Sequence, residues 1–131
     1  MTPDLRRMRY LINREPAARF RVERAMARAT KCTAMLTGMP GGKAPGSQVE
    51  RGAEDLALAR TALAEIRTEL KTQRESLAPY IDAAASPLKK MVLQLRYMDG
   101  YRVPEIAYRL NYDRSYIYRV LQEAEKEIIA E

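Results

Sequence analysis

Four side chains with strong hydrogen-bond donors fall close together near the end of this sequence: Arg114, Ser115, Tyr118 and Arg119. On an α-helix, residues three and four apart lie on the same face, so these side chains would project from one side. Arginine suits the paired acceptors on the edge of guanine, and hydroxyl groups can reach bases or phosphate oxygens. The spacing therefore predicts contacts to DNA base edges.

The sequence lacks most of the residues that catalytic and metal-binding sites require. The chain has no histidine and one cysteine, Cys32, which removes His-based triads, the usual zinc sites and Cys–His nucleophile pairs. The glycines around residue 40 resemble a phosphate-binding loop, but they lack its spacing and no strand precedes them. We therefore expect a protein that is not an enzyme and that needs no metal or cofactor.

Charge is distributed unevenly along the chain, whose net charge is +6. Residues 1–37 carry nine basic and three acidic side chains, and residues 86–119 carry seven and three. Residues 38–85 are near neutral, and the last twelve residues have a net charge of −3. This pattern favours a polyanionic partner for the basic regions, and the acidic end is expected to point away from phosphates and pack or pair instead.

The elements that would position the four donors have the residue types of a helix-turn-helix. Ala107 supplies the small residue at the helix crossing, and Asn111, four residues later, tolerates the positive φ of the turn. Asp113 is a suitable N-cap for the last helix, and Ile117 would pack back on the first. The predicted core of this motif comprises Ile106, Ala107, Leu110, Asn111, Tyr112, Ile117 and Val120. We also expect Tyr97 in the core.

Further basic and aromatic side chains surround the motif. We interpret them as contacts to DNA phosphates, which set register and affinity but not sequence. These predicted phosphate contacts are Lys89, Lys90, Arg102, Arg109 and Tyr116. The Arg-rich segment 5–31 is interpreted as a solvated charged face, with a second DNA-contacting surface as the alternative.

The rest of the chain predicts an all-α protein with a long N-terminal helical hairpin, because no alternating apolar pattern indicates a strand. Thr2-Pro3 could start the first helix, Pro16 is expected to interrupt or kink it, and the Gly- and Pro-rich residues 38–47 form the loop. Ser86-Pro87 marks the boundary between a hairpin or oligomerisation arm, 1–85, and a DNA-binding domain, 86–131.

Apolar side chains in both arms recur at helical spacing. In the first arm the predicted inner face comprises Val22, Met26, Ala29, Thr33 and Leu36. In the second, a coiled-coil-like heptad pattern comprises Leu56, Ala59, Leu63, Ile66, Leu70, Gln73, Leu77, Tyr80 and Ala84. This stripe must be buried, and the residues leave open whether it pairs within the chain or with a second copy.

Residues 87–128 resemble region 4 of bacterial sigma factors. The segments 95–100 (LRYMDG), 105–110 (EIAYRL) and 113–119 (DRSYIYR) carry the likeness. With the preceding hairpin, the chain is similar to small phage or prophage transcriptional regulators of the late-gene type. No counterpart of sigma region 2 is present, so the resemblance implies a double-stranded DNA-binding regulator and not a complete sigma factor.

Three functions follow as expectations. The first is a sequence-specific transcriptional regulator, acting as a homodimer or higher oligomer, with RNA polymerase as a further partner. The second is a small terminase-like subunit that recognises DNA for packaging. The third is an adaptor that docks on RNA polymerase without contacting DNA. No apolar run suits a membrane or a signal core, so we expect a cytoplasmic protein. The resemblance implies a bacterial host cell and association with its nucleoid.

Overall fold

The structure is a computed structural model that describes the backbone of residues 2–38 and 45–130, and the side chains of residues 2–31 and 50–129. It is all-α, as predicted, with no strand among the described residues. Two long helices, α1 (Leu5–Gly38) and α2 (Pro45–Asp82), are followed by three shorter ones. Contacts divide the chain into two compact units, residues 13–69 and a second unit that combines residues up to Ile12 with those from Leu70 onward.

The unit formed by residues 13–69 is a pair of antiparallel helices. Arg67 of α2 forms an ion pair with Glu15 of α1, and Gly52 lies beside the backbone of Ala29. The later α1 residue, Ala29, lies beside the earlier α2 residue, Gly52. The two helices are therefore antiparallel and form the predicted hairpin. Its buried side chains include Ala59 and Leu63, which belong to the heptad pattern.

The predicted heptad face is confirmed for the members on α2, from Leu56 to Tyr80, whereas Ala84 lies beyond the end of the helix. In both units every member of the pattern is buried or half-buried, including its polar member Gln73. The Gln73 side-chain oxygen accepts a hydrogen bond from the backbone N–H of Asp4, 3.0 Å away. A heptad stripe buried along α2 accounts for much of what holds the long helices together.

The predicted inner face of α1 is wrong at one of the positions that the structure describes. Val22 and Ala29 are half-buried as expected, but Met26 is 46% exposed and Ala25 is buried in its place. Alanine at this position allows a closer approach of the two helices than methionine would. Thr33 and Leu36 lie outside the side chains that the structure describes.

Of the two outcomes predicted at Pro16, the interruption is wrong and the kink stays a prediction. Helix α1 continues through Pro16, although proline lacks the N–H that would donate to the Ile12 carbonyl. Helix α2 begins at Pro45, so residues 45–47 are helical and the predicted loop 38–47 is too long. Proline suits the first turn because its missing N–H has no intrahelical acceptor there. Residues 39–44 of that loop lie outside the described part of the chain.

The second unit contains the N-terminal end of α1, the C-terminal end of α2 and the C-terminal helices. Its core contains Leu5, Met8, Leu11 and Ile12 from α1 and Leu70, Leu77 and Ile81 from α2. The C-terminal helices contribute Val92, Leu93, Tyr97, Val103, Ile106, Ile117, Val120, Leu121, Ala124 and Ile128. This unit includes residues on both sides of Ser86. The predicted division into two domains at that residue stays a prediction.

Capping side chains mark where two of the helices begin. The Asp4 carboxylate accepts a hydrogen bond from the Arg7 N–H, so Asp4 and not Thr2 caps α1. The Ser86 hydroxyl accepts from the Lys89 N–H at the start of α3 (Pro87–Leu93), as the Ser-Pro pair predicts. A single π-helical turn, Gln94–Met98, extends α3. Gly100, two residues after this turn, has a φ of +79°.

The last two helices are α4 (Val103–Leu110) and α5 (Arg114–Ala130). Helix α5 packs against both α3 and α4. None of the helices in the described part of the chain combines the length and apolar character that crossing a membrane requires.

Candidate nucleic-acid interface

The connection between α4 and α5 is three residues long and depends on Asn111. This residue has φ 64° and ψ 42°, the left-handed conformation that asparagine tolerates better than most residues. The N–H groups of Asn111 and Tyr112 both donate to the carbonyl of Ala107, whose side chain is buried. The predicted positive φ at Asn111 and the predicted small buried residue at Ala107 are therefore confirmed.

The left-handed turn leads to a test by substitution. Asn111→Ala is expected to lower the free energy of unfolding by about 1 kcal/mol, because a Cβ-bearing residue without a short polar side chain is strained there. Asn111→Gly is the matched control and should leave stability unchanged or raise it. Urea denaturation measures both; equal midpoints for the alanine variant and the unchanged protein would contradict the role given to Asn111.

Helix α5 has a buried face and an exposed face. Ile117, Val120, Leu121, Ala124 and Ile128 are buried, and their spacing of three, one, three and four residues places them on one side. This side faces α3 and α4, which are the packing partners of α5. The packing therefore fixes which side of α5 is turned to solvent.

All four predicted base-contacting residues are exposed. Arg114, Ser115, Tyr118 and Arg119 fall within about 140° of arc on the side of α5 away from its buried residues, at about 100° per residue. Together they present two guanidinium groups and two hydroxyl groups over the first two turns of the helix. Such a surface can donate hydrogen bonds to the acceptor groups on the edges of nucleic-acid bases.

Most of the predicted phosphate-contacting cations are exposed as well. Lys90 lies on α3, Arg102 directly precedes α4, and Arg109 lies near the end of α4. The guanidinium of Arg109 stacks over the ring of Tyr101, 4.1 Å from its centroid. This contact holds the Arg109 side chain in one direction without neutralising its charge.

Lys89 differs from these cations because it is paired with acidic side chains of α5. Its ammonium group forms an ion pair with Glu127 and lies 3.9 Å from Glu123, both on α5. The hydrogen bond to Glu127 raises the pKa of Lys89 above its ordinary value. Lys89 therefore joins α3 to α5, and its assignment as a phosphate contact stays a prediction.

Two members of the predicted core, Asn111 and Tyr112, are exposed. The Tyr112 side chain is 47% exposed, and its ring lies against that of Tyr116 with the centroids 5.2 Å apart. The left-handed turn at Asn111 directs the next residue outward, which the alternation of apolar residues does not reveal. Tyr116 is also exposed, so two adjoining phenol groups lie at the start of α5.

A partly buried polar network that the sequence analysis missed fixes the middle of α5. The Tyr97 side chain is fully buried, and its hydroxyl donates a hydrogen bond to Glu125 and accepts one from Arg9. Arg9 also forms an ion pair with Glu125, at 3.2 Å. The network joins α1, the π-helical turn and α5 within one compact unit.

A second arginine supports the same turn. The Arg74 Nε donates to the Tyr97 carbonyl, 2.8 Å away, which satisfies an oxygen at the end of the helix. No local pattern predicts these contacts, because Arg9, Arg74, Tyr97 and Glu125 are far apart in the chain. With Glu123 and Glu127 paired to Lys89, the acidic end of α5 packs and pairs as expected.

Burial and the hydrogen bond to Glu125 raise the pKa of the Tyr97 phenol well above its ordinary value of 10.0, although Arg9 acts in the opposite direction. Folding therefore holds this proton to higher pH than the unfolded chain does. The stabilisation is fully present below about pH 10 and is lost above it, by about 1.4 kcal/mol per pH unit.

Urea denaturation between neutral pH and about pH 11 tests this linkage. Tyr97→Phe should remove part of the alkaline loss of stability. Tyr108→Phe is the control, because Tyr108 is 88% exposed, and should keep the loss unchanged. Identical pH profiles for the two variants would contradict the buried position of the phenol.

Within the described residues, no group of three or more Cys, Asp or Glu side chains is placed to hold a metal ion. A scan against protein-family models and searches of curated proteins and of solved structures found no match to this chain.

Proposed function

We propose that this chain is a sequence-specific double-stranded DNA-binding protein that regulates transcription, with α5 as the helix that enters the major groove. The observation that carries the proposal is the exposed side of α5, where Arg114, Ser115, Tyr118 and Arg119 are accessible together. The major groove is about 12 Å wide and admits one α-helix, so a helix exposed on one side can place such donors at base edges.

The turn before α5 supports the same proposal. A buried Ala107, a left-handed Asn111 and a buried Ile117 are what a helix-turn-helix requires for steric reasons. In that motif the second helix contacts bases through its N-terminal residues, and the first helix lies across the DNA backbone. Arg114 and Arg119 then bind guanine, while Ser115 and Tyr118 bind neighbouring bases or phosphates.

Phosphate contacts come from the exposed cations around α5. Lys90, Arg102 and Arg109 neutralise backbone charge, and the exposed hydroxyl of Tyr116 donates to a phosphate oxygen. Lys89 contributes less directly, since it is paired to Glu127 in the free protein. The pairing of Glu123, Glu125 and Glu127 with cations of the protein reduces the repulsion that the end of α5 exerts on phosphates.

The cellular setting of the proposal comes from the resemblance to sigma region 4. It suggests a phage or prophage regulator acting in the bacterial cytoplasm at the nucleoid, with RNA polymerase as a second partner. One α5 helix gives limited affinity, so a homodimer or higher oligomer that binds two half-sites fits the proposal best.

The first test is binding to a random-sequence duplex across a salt series. The proposal predicts measurable binding that weakens steeply as salt rises, because each neutralised phosphate contributes a slope of about −0.9 in log affinity against log salt. Absence of any salt-sensitive affinity would contradict the proposal and favour an adaptor that binds only protein. A solution mass that corresponds to a large ring would favour the packaging subunit.

A further inference from the structure

We propose that α1 carries a second binding surface for the phosphate backbone of double-stranded DNA, separate from α5. The surface consists of Arg21, Arg24, Arg28 and Lys31, which we call the α1 basic stripe. These four side chains are all exposed and lie in the unit of residues 13–69, whereas α5 belongs to the other unit.

The register of α1 places the stripe on one side of the helix. The buried and half-buried residues of this segment include Ala18, Val22, Ala25 and Ala29, which fixes the face that α1 turns to α2. At about 100° per residue, the four cations fall within about 80° of arc, away from the middle of that face. They span about 15 Å of helix length, along which a duplex presents about nine phosphates.

No acidic residue shares this arc of α1. Glu15 lies toward α2 and forms its ion pair with Arg67. Glu23 lies on a different side of the helix, four residues from Arg19, so Arg19 and not the stripe is its natural helical partner. The spacing of three, four and three residues instead places each cation of the stripe next to another, an arrangement that destabilises a helix.

The residues beside the cations favour a polyanion over other partners. Ala17 and Ala27 are small and exposed, so the long basic side chains extend beyond their surroundings. Phe20 is the one large apolar group on this side among the described side chains of residues 13–31, and the guanidinium of Arg24 lies 5.8 Å from its ring. A helix that lies in a membrane surface needs a broad free apolar face, but the apolar face of α1 packs on α2.

The experiment replaces the stripe in the full chain with R21Q/R24Q/R28Q/K31Q and measures binding to a random-sequence duplex between about 50 and 200 mM salt. The negative slope of log affinity against log salt should become shallower by about 3 to 4, since each lost phosphate contact removes about 0.9 from its magnitude. Relief of repulsion between the cations should leave the melting temperature equal to or above that of the unchanged protein.

The matched control removes the same amount of charge from exposed cations elsewhere, in the variant R19Q/R51Q/R60Q/K71Q. Its slope should change by less than about 1. Equal slopes for the two quadruple variants would overturn the proposal. It would also be overturned if the stripe variant lost binding to phosphatidylserine vesicles or to polyglutamate while its duplex binding stayed unchanged.

These experiments distinguish a failure of the α1 basic stripe proposal from a failure of the proposed role of α5. If only the stripe binds DNA, R21Q/R24Q/R28Q/K31Q makes the salt dependence of binding less steep. Replacing Arg114 and Arg119 with alanine then leaves the sequence preference unchanged. If only α5 binds DNA, the stripe variant matches its control and the sequence preference still depends on Arg114 and Arg119.

Discussion

Replacing Arg114 and Arg119 together with alanine is expected to lower the affinity for the preferred DNA sequence by about 30-fold or more. Each well-placed bidentate contact to a base contributes about 1–3 kcal/mol of discrimination, and about 1.4 kcal/mol corresponds to a factor of ten. Both side chains lie on the exposed side of α5, so their removal leaves the buried face of that helix intact.

Affinity for a random duplex should change much less, because non-specific binding depends on the total number of phosphate contacts. Fluorescence anisotropy with both duplexes measures the two affinities on the same samples. Arg60→Ala is a suitable control, since Arg60 is exposed on α2 in the other unit. An equal loss of affinity for both duplexes would show that Arg114 and Arg119 bind phosphates and do not recognise bases.

The second large effect concerns stability. Met8→Ala is expected to lower the free energy of unfolding by about 2–5 kcal/mol, because Met8 is 0% exposed and its removal leaves a cavity in the core. Met8 belongs to the compact unit that also contains α3, α4 and α5. The C-terminal helices should therefore lose protection when this residue of α1 is truncated.

Met26→Ala is the matched control in the same helix, since Met26 is 46% exposed and should change stability by less than about 0.5 kcal/mol. Urea denaturation gives the free energies, and amide hydrogen exchange shows which helices open. If Met8→Ala left the α5 amides as protected as before, the C-terminal helices would form a unit independent of α1, in agreement with a boundary at Ser86.

Features that follow from local chemistry were predictable from the sequence. The left-handed Asn111, the buried Ala107 and Ile117, and the Ser86 cap each depend on residues within a few positions of one another. The heptad face of α2 was equally predictable from the sequence, because an apolar repeat over several turns defines which side of the helix is buried. The exposed face of α5 follows from the same kind of periodicity.

Features that depend on distant contacts could not be predicted. The network of Arg9, Tyr97 and Glu125 joins three separate helices, and no spacing in the sequence relates them. The inner face of α1 was ambiguous at one position because Ala25 and Met26 are both apolar, and only packing against α2 selects the smaller residue. Tyr112 was misplaced because its direction depends on the conformation of the preceding turn.

Selection of bound duplexes from a random-sequence library tests the central claim most directly. If α5 recognises bases, repeated rounds with the full chain should enrich one short motif, containing guanines that Arg114 and Arg119 can contact. The enriched duplex should bind at least about 1,000-fold more tightly than random duplex at the same salt concentration. Strong, salt-sensitive binding with no enriched motif would contradict sequence recognition by α5.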